Sequence, residues 1–187
     1  MTHIKYKFVS TAVALLLAAL QSGCVGTPEN VEVVTDFKLE RYLGTWYEVA
    51  RLDHRFERGL SQVTANYSMR DDGGVKVVNR GFNVDKQEWD EATGKAFFVG
   101  PSDIGQLKVS FFGPFYGGYN VIALDQDDYQ YSMIAGPDRS YLWILARSPN
   151  LDQEILDALV DKASSLNFPT DELIYVDHAE TGEAGSD

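Results

Sequence analysis

The sequence predicts an all-β domain of eight antiparallel strands followed by one C-terminal helix. Between residues 44 and 147, short segments alternate apolar and polar side chains, as at Val63, Ala65 and Tyr67, which is typical of strands that bury one face. Turn-forming runs, such as Asp-Asp-Gly-Gly at 71–74, separate the segments and predict hairpins. Eight strands at this spacing indicate a sandwich or an up-and-down barrel, and alternation alone does not separate the two.

The strands are expected at regular intervals along this region. Most of them carry one apolar face, whereas the segment 119–124 is apolar on both faces, as expected of a strand that is covered on both sides. The predicted strands lie near residues 45–51, 62–69, 75–79, 92–99, 107–112, 119–124, 129–135 and 141–147.

One segment after the strands has the periodicity of a helix. Apolar residues recur on a single helical face between residues 151 and 166. Asn150 is the expected N-cap, with Gln153 placed to close a capping box, and Phe168-Pro169 ends the helix. We expect the apolar face to pack on the outside of the sheet. A last short strand is predicted at 173–176.

Composition excludes several classes of function. The chain has 187 residues, with 16 Lys+Arg against 28 Asp+Glu and a formal charge of −12, whereas a nucleic-acid binder needs a basic surface. One cysteine and three widely spaced histidines exclude an internal disulfide and leave little for a metal site. The chain also lacks nucleophile-elbow, P-loop and dinucleotide motifs. We therefore predict no metal, no cofactor and no enzymatic activity.

The N-terminus has the features of an export signal. Lys5 and Lys7 precede a 13-residue apolar run that ends at Leu20, which is short for a membrane span but suits a signal peptide. Cys24 follows the small residues Ser22-Gly23, and this arrangement resembles a bacterial lipoprotein signal in which the cysteine is lipidated. The alternative is an ordinary secretory signal with a free cysteine nearby. In such a signal an aliphatic residue usually lies three positions before the cysteine. Here that position is Gln21, and Leu20 lies one position earlier.

Cleavage before Cys24 would leave a strongly acidic protein. It removes 23 residues with two lysines and no acid, so the formal charge of −12 becomes −14, and an anionic lipid surface would repel the whole domain. Acyl chains are therefore the expected anchor. The predicted organisation is a signal peptide at 1–23, a tether at 24–34, one domain at 35–177 and an acidic tail at 178–187. The ten residues 25–34 of this tether, if extended, would reach up to roughly 33 Å.

Three short motifs occur in a fixed order. They are Gly44-Thr45-Trp46-Tyr47 at the first strand, Leu124-Asp125 at a later turn, and Leu145-Ala146-Arg147 at the end of the eighth strand. Together they resemble the lipocalins. Longer stretches at 38–59, 108–125 and 136–149 look like the bacterial outer-membrane lipoprotein lipocalins, which are similar to apolipoprotein D. The resemblance spans about residues 34–176.

The resemblance implies an eight-stranded antiparallel up-and-down lipocalin barrel that is closed at one end. It also implies that the Arg147 guanidinium lies over the Trp46 indole, a cation–π contact worth about 0.5–2 kcal/mol. Gly44, Trp46, Asp125 and Arg147 are therefore expected to be structural residues. The middle motif departs from the family, with Leu124-Asp125-Gln126 where Thr-Asp-Tyr is usual.

A lipocalin barrel has room for its own side chains or for one small ligand. Extending the alternation from Trp46 and Arg147 predicts an inward-facing, mostly apolar set, which is the usual make-up of a lipid pocket. The alternative is a collapsed core that satisfies its polar groups internally. The predicted ligand-binding residues inside the barrel are Tyr67, Val77, Asn79, Phe111, Tyr119, Tyr141 and Trp143.

A lipid headgroup would lie at the open end. Arg55 and Arg58 follow the first strand, and guanidinium groups fit phosphate and carboxylate. The alternative is that these arginines pair with Asp53 and Glu57 on the surface. Tyr116 is a further candidate for a headgroup contact. His54, which precedes Arg55, is expected to be a loop histidine and not a ligand-binding residue or a base.

The predicted function is the binding, storage or transport of fatty acids or lysophospholipids without chemistry. We expect the protein on the periplasmic side of an outer membrane, anchored through Cys24, since Val25 is not the Asp that marks inner-membrane retention. A Glu48-dependent hydrolase and a passive partner-binding module are the alternatives, and the pattern leaves a homodimer open. A structural hydrogen bond is the other role for Glu48.

Overall fold

The computed structural model describes residues 25–178. The predicted signal peptide, the lipidation site Cys24 and residues 179–187 lie outside this range. Within it, no helix has the length and apolar character needed to cross a bilayer.

Nine strands and two α-helices make up the described chain. Helix α1 spans Leu39–Tyr42, helix α2 spans Gln153–Ser165, and a 3₁₀ turn spans Thr170–Glu172. The strands are β1 (Gly44–Arg51), β2 (Leu60–Met69), β3 (Val75–Asn83), β4 (Glu88–Phe98), β5 (Gln106–Ser110), β6 (Gly117–Leu124), β7 (Tyr131–Ala135), β8 (Leu142–Ala146) and β9 (Ile174–Tyr175).

The first eight strands form a closed antiparallel barrel. Each strand pairs with the next along the chain, and β1 pairs with both β2 and β8, so the sheet has no free edge between its first and last barrel strands. This confirms the barrel and excludes the sandwich. The short β9 pairs with the C-terminal end of β1, through Ala50 with Tyr175 and Arg51 with Ile174.

Successive hairpins place alternate connections at opposite ends of the barrel. The connections after β1, β3, β5 and β7 therefore lie at one end, and those after β2, β4 and β6 lie at the other. Helix α1 precedes β1 and covers the second end, where Tyr42 packs on the Trp46 ring with centroids 4.7 Å apart. We call the end with the β1–β2 connection the mouth and the other the closed end.

The wall of the barrel separates two apolar clusters. The inner cluster includes Trp46, Tyr67, Val77 and Leu145, which confirms the alternation expected for these strands. The outer cluster joins the other faces of β1, β6, β7 and β8 to Leu156, Leu159 and Ala163 of α2. Helix α2 therefore packs on the outside of the sheet, as predicted.

The N-cap of α2 differs from the expectation. Asp152, not Asn150, caps the helix, because its carboxylate accepts hydrogen bonds from the backbone N–H groups of Glu154 and Ile155. The same carboxylate lies at the positive end of the helix dipole, where negative charge is favoured.

The segment predicted as a tether packs against the barrel instead. Val31 is buried in the outer cluster, and Val34 donates its backbone N–H to the Val121 carbonyl at 2.9 Å. Asn120 Nδ2 donates to the Gly26 carbonyl at 2.9 Å. These contacts hold residues 25–34 to the surface, so this stretch does not provide the extended reach of about 33 Å.

Candidate functional site

The closed end is held by the pair that the motifs predict. Arg147 Cζ lies 3.9 Å from the centroid of the Trp46 ring, and the indole N–H donates to the Tyr42 carbonyl at 2.8 Å. The same guanidinium donates to four backbone carbonyls, those of Arg41, Leu43, Thr45 and Tyr129. The arginine therefore joins helix α1, strand β1 and the end of β8.

The remaining motif residues also have structural roles. Gly44 has a φ of +94°, and a Cβ there would lie 3.5 Å from Arg147, so a residue with a side chain would be strained at this position. Asp125 accepts hydrogen bonds from the backbone N–H groups of Asp127, Asp128 and Gln130. It therefore closes the turn between β6 and β7.

Three buried tyrosines form a hydrogen-bonded group inside the barrel. The Tyr119 hydroxyl lies 2.7 Å from that of Tyr42 and 2.9 Å from that of Tyr67. Burial raises the pKa of Tyr42 to about 12. Burial, together with the charge that the neighbouring phenolates would carry, also raises the pKa values of Tyr67 and Tyr119 well above 10. All three phenols are therefore neutral hydrogen-bonding groups at physiological pH.

The interior around these tyrosines is almost filled by side chains. The cavity here has a volume of about 10 Å³ and is lined by Phe37, Leu39, Tyr42, Tyr67, Val75, Val77, Ala96, Leu107, Val109 and Tyr119. That volume holds about one water molecule, whereas small-molecule pockets measure about 300–1,000 Å³. The cavity at this place is therefore much smaller than the preformed space for a hydrocarbon tail that the family resemblance implies.

A buried polar cluster lies at the mouth. Arg51 Nη1 donates to Glu48 Oε1 at 2.7 Å, and both side chains are at most 3% exposed. Glu57 Oε2 lies 3.0 Å from His54 Nε2 and accepts a 3.0 Å hydrogen bond from Trp143 Nε1. Arg51 Nη2 also donates to the Glu57 carbonyl. His54 lies in the connection between β1 and β2, as expected of a loop histidine, but it is only 6% exposed and packs on the Trp143 ring.

The pKa values of the two carboxyls in this cluster are shifted in opposite directions. Burial and the negative charge of Glu57 raise the pKa of Glu48 well above 4.5, although Arg51 opposes the shift. Burial alone would raise the pKa of Glu57 too, but the contacts from His54 and Trp143 and the charge of Arg51 outweigh it and lower that pKa. Of the two carboxyls, Glu57 is therefore the one that stays ionised to lower pH.

Several buried polar atoms lack hydrogen-bond partners among residues 25–178. They are Arg51 Nε, His54 Nδ1, Asn79 Oδ1 and Ser110 Oγ, together with His54 Nε2, whose contact with Glu57 falls short of hydrogen-bond geometry. An unpaired buried polar group costs about 1–3 kcal/mol. Apart from Ser110, which lies on the outward face of β5, these atoms are therefore candidates for contacts with a polar ligand group.

The predicted headgroup residues lie outside this cluster. Arg58 forms an exposed ion pair with Asp53 at 2.6 Å, which matches one of the surface pairings that the sequence left open. Glu57 does not take part in the other, since it is buried. Arg55 is exposed, with Cζ 5.0 Å from the Phe56 ring.

The other predicted ligand-binding residues occupy three surroundings. Tyr67, Val77, Phe111 and Tyr119 belong to or pack on the inner cluster. Tyr141 is half-buried at the mouth, with its ring stacked 6.1 Å from that of Trp143. Tyr116 lies against Lys108, whose Nζ is 5.1 Å from the ring. Ligand binding stays a prediction for all of them.

The outer surface carries a separate groove of about 170 Å³. It is lined by Tyr47, Gln62, Thr64, Arg80, Trp89, Pro149 and His178, and it includes none of the predicted ligand-binding residues. Across residues 25–178, no group of three or more His, Cys, Asp or Glu side chains is arranged to hold a metal ion.

Comparison with curated proteins gives matches along most of the chain. The chain is 55% identical over 162 residues to an outer membrane lipoprotein, Blc, of Vibrio cholerae, covering 87% of this chain and 95% of that protein. It is 54% identical over 149 residues to the protein of that name in Escherichia coli, covering 80% and 84%. Apolipoprotein D of Cavia porcellus is 32% identical over 181 residues, covering 88% and 95%.

Solved structures and family models agree with these matches. Insecticyanin from Manduca sexta superimposes with a TM-score of 0.66 at 24% identity, covering 83% of this chain and 88% of that one, which supports the fold alone. A family model described as a lipocalin-like domain matches residues 37–178. The chain therefore belongs to the lipocalin family.

Proposed function

We propose that this protein binds and carries single-chain lipids, such as fatty acids or lysophospholipids, without chemical change. Lipocalins generally bind small hydrophobic ligands, and relatives at 54–55% identity are named outer membrane lipoproteins. In the proposed arrangement, acyl chains on Cys24 anchor the protein to the periplasmic side of an outer membrane. A homodimer is compatible with this function, and sedimentation of the acylated chain tests it.

The preference for one chain follows from competition with the bilayer. Hiding about 14 methylenes from water gives roughly 11 kcal/mol before association costs, at ~0.8 kcal/mol each. A bilayer hides the same methylenes equally well, so the tail alone drives no net extraction. Ligands that fit a bilayer poorly, such as fatty acids and lysophospholipids, transfer more readily than two-chain phospholipids.

The observation that carries the proposal is an apolar barrel interior with unpartnered polar atoms near its mouth. Arg51 Nε and His54 Nδ1 are donors or acceptors without partners among the described residues, and both side chains are buried. A folded chain gains by satisfying such atoms, and a phosphate or carboxylate beside the Arg51 guanidinium would do so. Arg55 and Arg58 add positive charge to the same connection.

Ligand entry requires rearrangement, because the interior is filled. Trp143 and Tyr141 are half-buried rings at the mouth, whereas Tyr42 and Trp46 are fixed at the closed end. We propose that these two rings move aside to admit the tail and then pack against it. If the open form is a fraction of the population, the apparent Kd rises by the reciprocal of that fraction.

Displacement of a fluorescent fatty acid from the purified acylated protein tests this function. Oleate and lysophosphatidylglycerol should displace the probe at lower concentrations than dioleoyl phosphatidylglycerol. Mass spectrometry of the lysolipid after overnight incubation should show an unchanged mass. Hydrolysis of the lysolipid would instead support the alternative of a Glu48-dependent hydrolase. Failure of any lipid to bind would favour the alternative of a partner-binding module, with which the filled interior is consistent.

A further inference from the structure

Three lysines stand side by side on the outer face of the barrel. Lys76 of β3 is directly opposite Lys95 of β4, and Lys108 of β5 is opposite the next outward residue, Phe97. Their sequence neighbours belong to or pack on the inner cluster, so strand alternation turns the three ammonium groups outward. Like charges directly opposite on neighbouring strands are unfavourable.

These lysines have no acidic partners in the part of the chain that the structure describes. No carboxylate of residues 25–178 lies within 4.0 Å of Lys76, Lys95 or Lys108, although acids outnumber bases by 28 to 16 in the chain. Three unpaired lysines on one face of so acidic a protein favour an anionic partner.

An aromatic loop adjoins the lysines. Phe112 and Phe115, in the connection between β5 and β6, are 70% and 78% exposed. The loop is joined to the lysine row where the Lys108 ammonium lies over the Tyr116 ring. Exposed aromatic rings beside lysines are typical of surfaces that enter the headgroup region of a bilayer. The same connection lies at the mouth of the barrel.

The N-terminal end of the described chain reaches this loop. Gly26 accepts a hydrogen bond from Asn120, and a Cβ at Gly118 would lie 2.9 Å from the Gly26 carbonyl oxygen. Gly118 is the second residue of β6, immediately after the loop. Val25 follows Cys24 directly in the sequence, so an acyl anchor on that cysteine would bring the bilayer next to the aromatic loop.

We propose that the loop at residues 111–116 and the lysines Lys76, Lys95 and Lys108 dock on the anionic bilayer that holds the anchor. This inference rests on the acylation of Cys24 in the proposed function. The rings enter the headgroup region, the lysines contact lipid phosphates, and the acidic remainder of the surface is repelled. The outer face of strands β3, β4 and β5 is thereby held against the membrane.

A nitroxide at position 115 tests the docking. Because the chain has one cysteine and acylation consumes its thiol, F115C supplies a unique labelling site in the full acylated protein. In vesicles with 30% phosphatidylglycerol, the label should gain several-fold in collision rate with oxygen relative to a water-soluble nickel complex. V99C, an exposed position in the closed-end connection after β4, is the matched control and should stay aqueous.

Charge variants separate the lysines from the rings. The triple change K76Q/K95Q/K108Q should bring the label at 115 back towards water in anionic vesicles, by at least half of its gain. A matched triple change at exposed lysines elsewhere, K38Q/K86Q/K162Q, should leave it immersed. An aqueous label at 115, equal immersion at 99, or equal effects of the two triples would overturn the proposal. Spin–spin broadening removed by dilution with unlabelled protein would overturn it too, since a second copy would cover the loop.

Independent measurements distinguish this proposal from the proposed function. Intact mass establishes the acyl chains on Cys24 beforehand, and their absence would overturn both the anchor and the docking. Fatty-acid displacement is measured on the same preparations. An aqueous label at position 115 in an acylated protein that binds oleate would overturn the docking surface and leave lipid carriage standing.

Discussion

The indole N–H of Trp143 donates a 3.0 Å hydrogen bond to the buried carboxylate of Glu57. The bond joins the last barrel strand to the connection after the first, 86 residues away. Through Glu57, Trp143 is linked to His54 and to the Arg51–Glu48 pair. The connection after β1 is therefore held to β8 at the mouth by a polar network and not by apolar packing alone.

The raised pKa of Glu48 predicts a pH dependence of stability. A carboxyl whose folded pKa exceeds its unfolded value stabilises the fold fully below the unfolded value, near 4.5, and this stability is lost as pH rises through the folded value. In urea unfolding, the native protein should therefore lose free energy of unfolding relative to E48Q as pH rises above 4.5.

Glu57 provides the control, because its pKa is lowered. Its contribution is present above pH 4.5 and is lost as pH falls through the folded pKa, so E57Q should lose its disadvantage against the native protein only on acidification. A difference between the native protein and E48Q that does not change with pH above 4.5 would contradict the raised pKa of Glu48.

Arg147 is predicted to stabilise the closed end strongly. R147A removes the contact with Trp46 and charged hydrogen bonds to four carbonyls, so the free energy of unfolding should fall by about 3 kcal/mol. R58A removes an exposed arginine and should leave the urea midpoint nearly unchanged. Equal midpoint shifts in the two variants would show that the stacking contributes little.

The barrel and its closed end could be predicted from local signals. Alternation placed Tyr67, Val77 and Leu145 on the inner face, and the order of the three motifs identified the partners Trp46 and Arg147. Both signals depend on neighbours in sequence or on motif residues that the whole family uses. They are insensitive to how side chains from distant strands fill the interior.

The polar mouth could not be predicted in this way, because a register shift changes which residues face inward. The pairing of β1 with β8 shifts between Glu48 and Ala50, so Ala50 joins the outer cluster and Arg51 pairs with Glu48 inside. Strict alternation would have turned Arg51 outward. The burial of His54 depends on contacts with β8, which no local pattern reveals.

The tyrosine group is predicted to depend on Tyr119. Y119F removes the hydroxyl that both Tyr42 and Tyr67 contact, at 2.7 and 2.9 Å, and should lower the free energy of unfolding by about 2 kcal/mol. Y116F, in which the ring over Lys108 is kept, serves as the control and should change it little. A stability of Y119F equal to that of Y116F would argue against the hydrogen-bonded group.

The same group should be visible in a spectroscopic titration. With the pKa of Tyr42 at about 12, absorbance at high pH should show a late phase that is separate from the tyrosines titrating near 10. Because these folded pKa values are raised, their contribution to stability is present below pH 10 and is lost as pH rises towards 12. A late phase that disappears only when the protein unfolds would support this assignment. A native protein without a late phase would contradict it.

Arg55 and Arg58 are predicted to select anionic ligands. The double variant R55A/R58A should weaken lysophosphatidylglycerol and oleate more than lysophosphatidylcholine, by several-fold in displacement assays, because it removes two positive charges next to the mouth. K38A/K162A removes two exposed charges elsewhere and should affect all three lipids equally. Equal losses for anionic and zwitterionic lipids in R55A/R58A would refute the headgroup role.

The most direct test of lipid carriage is mass spectrometry of organic extracts from the purified protein, with Trp143 and Trp89 as a matched pair. Trp143 packs on the inner cluster, whereas Trp89 is 44% exposed on the outer groove. The native protein and W89A should each yield about one single-chain lipid per protein, and W143A should yield several-fold less while remaining folded by circular dichroism. Extracts without lipid, or the same yield from W143A as from W89A, would contradict binding inside the barrel.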